Sequence, residues 1–446
     1  MRTRLSRRRF LQSTGAAAGL LIINRPSLGA SPNEKLNIAC VGVGGRGGAD
    51  FAAVNHENVV AICDIDDNNL NKAGNAAPKA QKFNDYRVML DKVHKEIDAI
   101  VVGTPDHVHA IVAAAAMDLG KHAYVEKPLA HNVFECRVLA NLAKKNKLAT
   151  QMGTQIHAGD NYRRVVELIQ AGAIGNVTEA HVWVGKSWAN GRHPDKSRTT
   201  DAPAHIHWDL WHGGARFCAY APGVYHPGNW RKFWDYGTGT LGDMACHFAD
   251  VAFWALDLHW PTTVESDSPD ALHPDGTPAR LRVQYEFPAR GKMPAVNLTW
   301  YDGGRRPELL EKGQLIVNGR PSRMNGGGVL FVGDKGMLLC DYNNRYLLPE
   351  NEFKEYKAPE PTIPKSIGHH NEWIKACKDG SPTTCNFDYS GALSEAVLLG
   401  NVAFRVGKKI EWDGAKLKAK NAPEADKYIR EEYRKGWALA GVEGVA

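Results

Sequence analysis

The sequence has eight cysteines but no Cys-x-x-Cys pair and no zinc-type spacing. That excludes a small disulfide-stapled scaffold and a zinc module. Cys40 and Cys63 lie in apolar runs of strand type and read as buried thiols, while Cys377 and Cys385 are close enough in sequence to pair across a loop. Charge of one sign is also scarce. The formal net charge is +6 over 446 residues, and Arg2, Arg4, Arg7, Arg8 and Arg9 account for most of it. The remainder is near neutral, which argues against a nucleic-acid partner. Internal repeats and low-complexity tracts are missing. Hydrophobic residues make up 43% and charged residues 23%, an ordinary globular balance at a length that supports two domains.

No apolar run is long enough to span a bilayer, which takes ~20 residues. The run Gly15–Ile23 follows Ser6-Arg7-Arg8-Arg9-Phe10-Leu11 and leads to a small-residue site at Ala30. A basic head, a short apolar middle and a small-residue exit describe a secretory signal of the twin-arginine type over residues 1–30. The expectation is a folded protein exported to the periplasm, with no membrane association afterwards.

What is present begins with Leu36–Val41, an apolar strand that runs into Gly42-Val43-Gly44-Gly45-Arg46-Gly47. A helix-compatible segment, Gly48–Val54, follows, then a second strand, Val59–Cys63, ending in Asp64. This is G-x-G-x-x-G in a strand–turn–helix context. Gly42 permits the tight turn, Gly44 lets the backbone approach a pyrophosphate, and Gly47 allows close helix packing. The helix N-terminus offers free amides to phosphate. Asp64 can accept from ribose hydroxyls and repels a 2′-phosphate, so NAD is expected over NADP. Asp66 and Asp67 read as solvated acids at the next helix start.

The alternation continues through Ile97–Val102 and His122–Val125, with a helix over Ala110–Leu119. It predicts a parallel, doubly wound sheet whose strand ends carry Thr104-Pro105 and Glu126-Lys127-Pro128. Beyond it, helices are expected over 156–171, 241–256, 371–377 and 392–406. Strands are expected over 281–287, 295–301 and 336–339, in an antiparallel sheet. The fold class is therefore a Rossmann α/β domain, 34–154, followed by an α+β domain, 155–446, with a large, mostly antiparallel open sheet.

Asp243 and His247 are four apart in a helical pattern and share a face. An acid there can orient an imidazole that removes a hydroxyl proton, with an ordinary pKa of ~6.5. Lys127, at a strand end, can hold a substrate oxygen and relay its proton, and it is an alternative base. Gln155, Tyr162, Trp230 and Arg231 are candidates for substrate contact, Arg231 toward either a carboxylate or a protein acid. His107 and His109 either line a nicotinamide pocket or are satisfied core histidines. The aromatic stretch 205–234 offers sugar-stacking platforms or a tryptophan-stapled loop. His205, His207 and His212 match no recognised ligand set, so no metal is expected.

Gly42–Gly47, Thr104-Pro105-x-x-x-His109, Glu126-Lys127-Pro128 and Gly242-Asp243-x-x-x-His247, in this order, resemble the glucose–fructose oxidoreductase / inositol dehydrogenase / rhizopine catabolism (Gfo/Idh/MocA) family. The segments Trp208-Asp209-Leu210-Trp211, Tyr225-His226-Pro227 and Trp230-Arg231 resemble its exported branch. The resemblance implies catalytic Lys127, Asp243 and His247, and a cofactor site comprising Gly42, Gly44, Gly45, Arg46, Gly47, Asp64, Thr104, Pro105, His107, His109, Glu126 and Lys127. It also implies a cis bond before Pro128, a homo-oligomer (dimer or tetramer), and hydride transfer at a hydroxyl of a sugar, glycoside or polyol. Glycoside cleavage through transient C3 oxidation is the alternative, although glycosidases of this superfamily depart from the Glu-Lys-Pro triplet. A non-catalytic sugar or nucleotide sensor is a third class.

Overall fold

The computed structural model describes residues 34–188 and 190–443. The expected twin-arginine signal, residues 1–30, lies outside the described residues. No described helix is long and apolar enough to cross a membrane.

The first domain holds six parallel strands in the order β3-β2-β1-β4-β5-β6. They are β1 (Asn37–Val41), β2 (Asn58–Cys63), β3 (Gln81–Phe83), β4 (Ala99–Val102), β5 (His122–Val125) and β6 (Thr150–Met152). All of β4 and β5 is buried, because helices cover both faces of a parallel sheet. Helix α1 (Gly45–Val54) begins three residues before its expected start, and α2 (Asp67–Ala76) follows β2. Further on come α3 (Tyr86–Val93), α4 (Asp106–Asp118) and α5 (Val133–Asn146), the last opened by an Asn132/Glu135 capping box. Neither Gly44 nor Pro105 caps its helix with a side chain. The first amides of α1 and α4 thus remain available at the carboxyl edge of the sheet.

The second domain holds a nine-stranded sheet in which β7 (Val177–Val184) pairs parallel to β8 (Val296–Tyr301) and every other pairing is antiparallel. The single helix expected over 156–171 is divided. A 3-10 turn, Gln155–Ala158, is separated by extended Gly159 from α6 (Asp160–Gln170). The 241–256 helix is likewise two pieces, α7 (Gly239–Phe248) and α8 (Asp250–Ala255). Helices α9 (His369–Asp379) and α10 (Phe387–Val406) return to the first domain. Met152 N donates to Cys385 O (3.1 Å), and Arg137 pairs with Glu395 (2.7 Å). Each domain therefore contributes walls to one cleft. The eight cysteines are all free thiols, Cys377 and Cys385 included, and both are buried in the interior.

Candidate active site

One cavity of about 1170 Å³ runs from the glycine turn to α7. At its first end the backbone does the shaping. Gly42 has φ +75°, and a Cβ there would lie 2.8 Å from the Gly103 backbone. A Cβ on Gly44 would meet Asn69 at 2.3 Å, whereas one on Gly45 would point into open space. Gly47 does not reach the cavity wall. It packs α1 against the turn so closely that a Cβ would stand 2.0 Å from Gly42 O.

Asp64, at the end of β2, is buried with its two oxygens held by Val43 N (2.9 Å) and Asp66 N (2.9 Å). Burial raises its carboxyl above the ordinary value, partly offset by those amides. Asp66 corrects the expectation of a solvated acid. It is buried, caps α2 through Asn68 N (2.9 Å) and pairs with His226 Nε2 (3.2 Å). A row of acids and bare amides suits ribose hydroxyls and pyrophosphate and disfavours a 2′-phosphate. The cradle fits a dinucleotide, since Gly45 on the cavity wall leaves open space and α1 begins there without a side-chain cap.

Thr104 and Pro105 line the opposite wall. His109 also reaches it, with ring nitrogens held by Thr104 O (2.8 Å) and Pro128 O (2.8 Å). His107 is a correction. It lies behind the wall between Trp211 O (2.9 Å) and Tyr236 O (3.1 Å), and burial lowers its pKa to about 3. It is a packing residue that joins α4 to the aromatic segment. Tyr162 is a second correction. It is fully buried on α6, edge-on to Tyr342 and away from the cavity.

Glu126 sits at the cavity's waist. Its Oε1 accepts from Arg46 Nε (3.1 Å) and Gln155 Nε2 (2.6 Å), and Gln155 also reaches Tyr124 Oη (2.8 Å). Burial, helped by the nearby Asp50, pushes Glu126 up to about 8. Arg46 is also anchored by Asp50 (2.5 Å).

The other end is built around Asp243. Oδ1 accepts from Lys127 Nζ (2.7 Å) and Arg231 Nε (3.1 Å); Oδ2 accepts from Lys186 Nζ (2.7 Å) and Trp188 Nε1 (3.1 Å). Burial alone would raise this carboxyl, but Lys127, Arg231 and Lys186 hold it well below the usual carboxylate range. The bond before Pro128 is cis.

This arrangement corrects the expected Asp243–His247 pairing. The two share a helix face, yet the carboxylate is taken by cations from other elements. His247 lines the cavity, and burial together with the Lys127 charge lowers its pKa to about 3. It stands as a neutral imidazole at neutral pH.

Arg231 and Trp230 both line the cavity, with the guanidinium 4.3 Å over the indole. Trp208, Trp211, Tyr225 and Tyr236 form their own small core, and of these only Trp211 touches the cavity. Most of the aromatic stretch therefore serves packing. His207 goes to Asp67 and His212 to Trp208 O, so neither joins a ligand set. Elsewhere, His157, Asp250 and Cys385 gather in the core, where His157 is held by Asp250 (2.9 Å) and stacks on Trp254 at 4.0 Å.

Lys186 and Trp188 were missed by sequence reasoning. They follow β7 in an irregular strap with no motif, and only the fold carries them to α7, where Trp188 N donates to Thr240 Oγ1 (2.7 Å).

Residues 36–154 match the model of an oxidoreductase family, NAD-binding Rossmann fold (GFO_IDH_MocA). Residues 163–293 match the model of its C-terminal alpha/beta domain. A Glycosyl hydrolase family 109 protein of Solibacter usitatus is 33% identical over 159 residues, covering 33% of this chain and 36% of that protein. The chain thus spans well under half the length of the curated relatives it matches. The WlbA dehydrogenase of Bordetella pertussis, solved with NADH and UDP-GlcNAcA, superposes with a TM-score of 0.58 at 16% identity, covering 85% of this chain and 99% of that one. Apo scyllo-inositol dehydrogenase of Lactobacillus casei gives 0.52 at 14% identity, covering 86% and 99%. These likenesses are of fold.

Proposed function

The chain belongs to the Gfo/Idh/MocA oxidoreductase family, and on that premise we propose that it oxidises a hydroxyl-bearing carbon of a sugar, glycoside or polyol. The observation that carries this reading is a single cavity lined by Gly42, Gly44 and Asp64 at one end and by Lys127, Asp243 and His247 at the other. NAD bound along the glycine turn supplies the hydride acceptor.

The chain's own residues handle the oxygen and its proton. Lys127, fixed by Asp243, donates a hydrogen bond to the reacting hydroxyl oxygen and stabilises negative charge as it develops there. His247, neutral, accepts the proton. Its low basicity is set first by burial and then by the adjacent Lys127 ammonium, and negative charge entering between the two eases proton uptake. Trp230, buried beneath the Arg231 guanidinium, holds that cation on the cavity wall. Asp243 positions Lys127, Lys186 and Arg231.

Export by the twin-arginine route would place the protein where no free cofactor is at hand, and the reading includes NAD that stays bound. A strap over the ribose end supports retention. His207 N donates to Ile65 O (2.8 Å), Asp67 N donates to His205 O (2.9 Å), and His226 pairs with Asp66.

Glycoside cleavage around a transiently oxidised carbon is the second reading, favoured by the glycosyl hydrolase name of the Solibacter relative. Protein purified without added NAD is incubated with a panel of methyl glycosides and polyols, following nicotinamide absorbance with product analysis by NMR. The expected result is an oxidised sugar with reduced cofactor. Free sugar and methanol without net cofactor change would replace that reading by cleavage. Binding without any turnover would leave a sensor.

A further inference from the structure

Around Asp243 the charges do not balance. Lys127, Lys186 and Arg231 converge on one carboxylate, and both of its oxygens are already taken. The Lys186 side chain is 42% exposed and that of Arg231 25%, both on the cavity wall. An ammonium has three donors and a guanidinium five. Lys186 uses one on Asp243 and otherwise reaches only Met244 Sδ at 3.8 Å. Arg231 uses Nε on Asp243 and Nη1 on Gly228 O (3.3 Å), which leaves Nη2 free.

The other acids of the wall are occupied or distant. Asp64, Asp66 and Asp85 lie toward the ribose end, Glu126 is engaged by Arg46 and Gln155, and Asp106 is engaged by the Thr238 hydroxyl (2.7 Å). Trp188 and Trp230 stack on the cations (Lys186 at 4.7 Å from the Trp188 ring, Arg231 at 4.3 Å from that of Trp230), which holds them without neutralising them.

We infer that Lys186 and Arg231 form an anion subsite beside Lys127, and that the substrate is a sugar bearing a carboxylate, a uronate-type ring. The inference rests on the proposed sugar chemistry of the same cavity and names its substrate class. A carboxylate bridging Nζ of Lys186 and Nη2 of Arg231 would satisfy the free donors with charge-assisted bonds.

The test is calorimetric titration of the purified holoprotein with three matched sets of methyl glycosides: glucoside and glucuronide, galactoside and galacturonide, mannoside and mannuronide. Glucose 6-phosphate serves as the phosphate arm. Expected is at least one uronate bound about tenfold more tightly than its neutral parent, with the preference shrinking in high salt. The ratio collapses in Lys186→Met and survives in Lys186→Arg. Equal affinity across every pair overturns the inference, as does a preference for the phosphate over all uronates, or a ratio unchanged in both Lys186→Met and Arg231→Met. A uronate preference without oxidation of any sugar would sink the hydride reading and keep the subsite. Oxidation of neutral sugars with no charge preference would do the reverse.

Discussion

Asp64 and Asp243 are both buried carboxylates on the wall of one cavity, and they behave in opposite ways. Asp64 is held by backbone amides with no cation beside it, so burial dominates and its carboxyl is raised. Asp243 is as buried but ringed by Lys127, Arg231 and Lys186, and it is held far below the ordinary range. Burial sets the cost of charge, and partners decide whether that cost is met. The first end is thus an acceptor for hydroxyls. The second anchors cations that act on the substrate.

The comparison can be broken most forcefully at Lys127. Lys127→Met should lower kcat by ~10²–10⁴ while NAD still copurifies, since the ribose end is untouched. Steady-state turnover and the nucleotide released on denaturation check both halves. Activity within about tenfold of wild type would remove Lys127 from the chemistry.

Next in size is a matched pair of neutralisations. Asp243→Asn leaves three cations facing one another and should cost ~3–5 kcal/mol of stability. Asp64→Asn removes a group held only by amides and should cost ~1–3 kcal/mol, with loss of bound NAD as its main effect. Equal falls in Tm would erase the distinction between the two ends.

A third effect is smaller and concerns pH. His247, His107 and His369 are each lowered to about 3 by burial. Between that value and the ordinary ~6.5 these three side chains bind more protons in the unfolded chain than in the folded one, so their own contribution to stability rises with pH, while buried Glu126, raised to about 8, contributes in the opposite sense. His107→Gln should therefore make Tm less sensitive to a drop in pH below about 6.5 than it is in the wild type. By the same shift, kcat/KM should show no histidine limb between about pH 5 and 7; a limb near 6.5 that vanishes in His247→Gln would place an ordinary imidazole in the site. The mildest change, His226→Phe, should speed NAD release by loosening the strap at Asp66, read from nucleotide loss on dialysis.

Much of this was legible in the residues. Gly42 and Gly44 lie between a strand and a helix and Gly47 in that helix's first turn, and each sits where a Cβ would collide. Lys127 stands after β5, next to a proline, at the edge where doubly wound sheets bind ligands. Two misreadings lie on helices. Tyr162 falls in the expected helix 156–171, which the structure divides at Gly159 and in which that ring is buried. The Asp243–His247 pairing rests on helical spacing, which reports neighbours on one helix and says nothing of groups arriving from elsewhere; three cations from other elements take the carboxylate.

Local sequence therefore determined the Rossmann unit, the glycine turn and the acid after β2. Those features depend on backbone conformation and on contacts within a few dozen residues. The electrostatics of the second end were decided only by tertiary structure. Lys186 and Trp188 lie in irregular chain and Arg231 in a short 3-10 turn, Asn229–Lys232, none with a periodic pattern, and their bearing on Asp243 exists only because two domains and a strap converge on one helix.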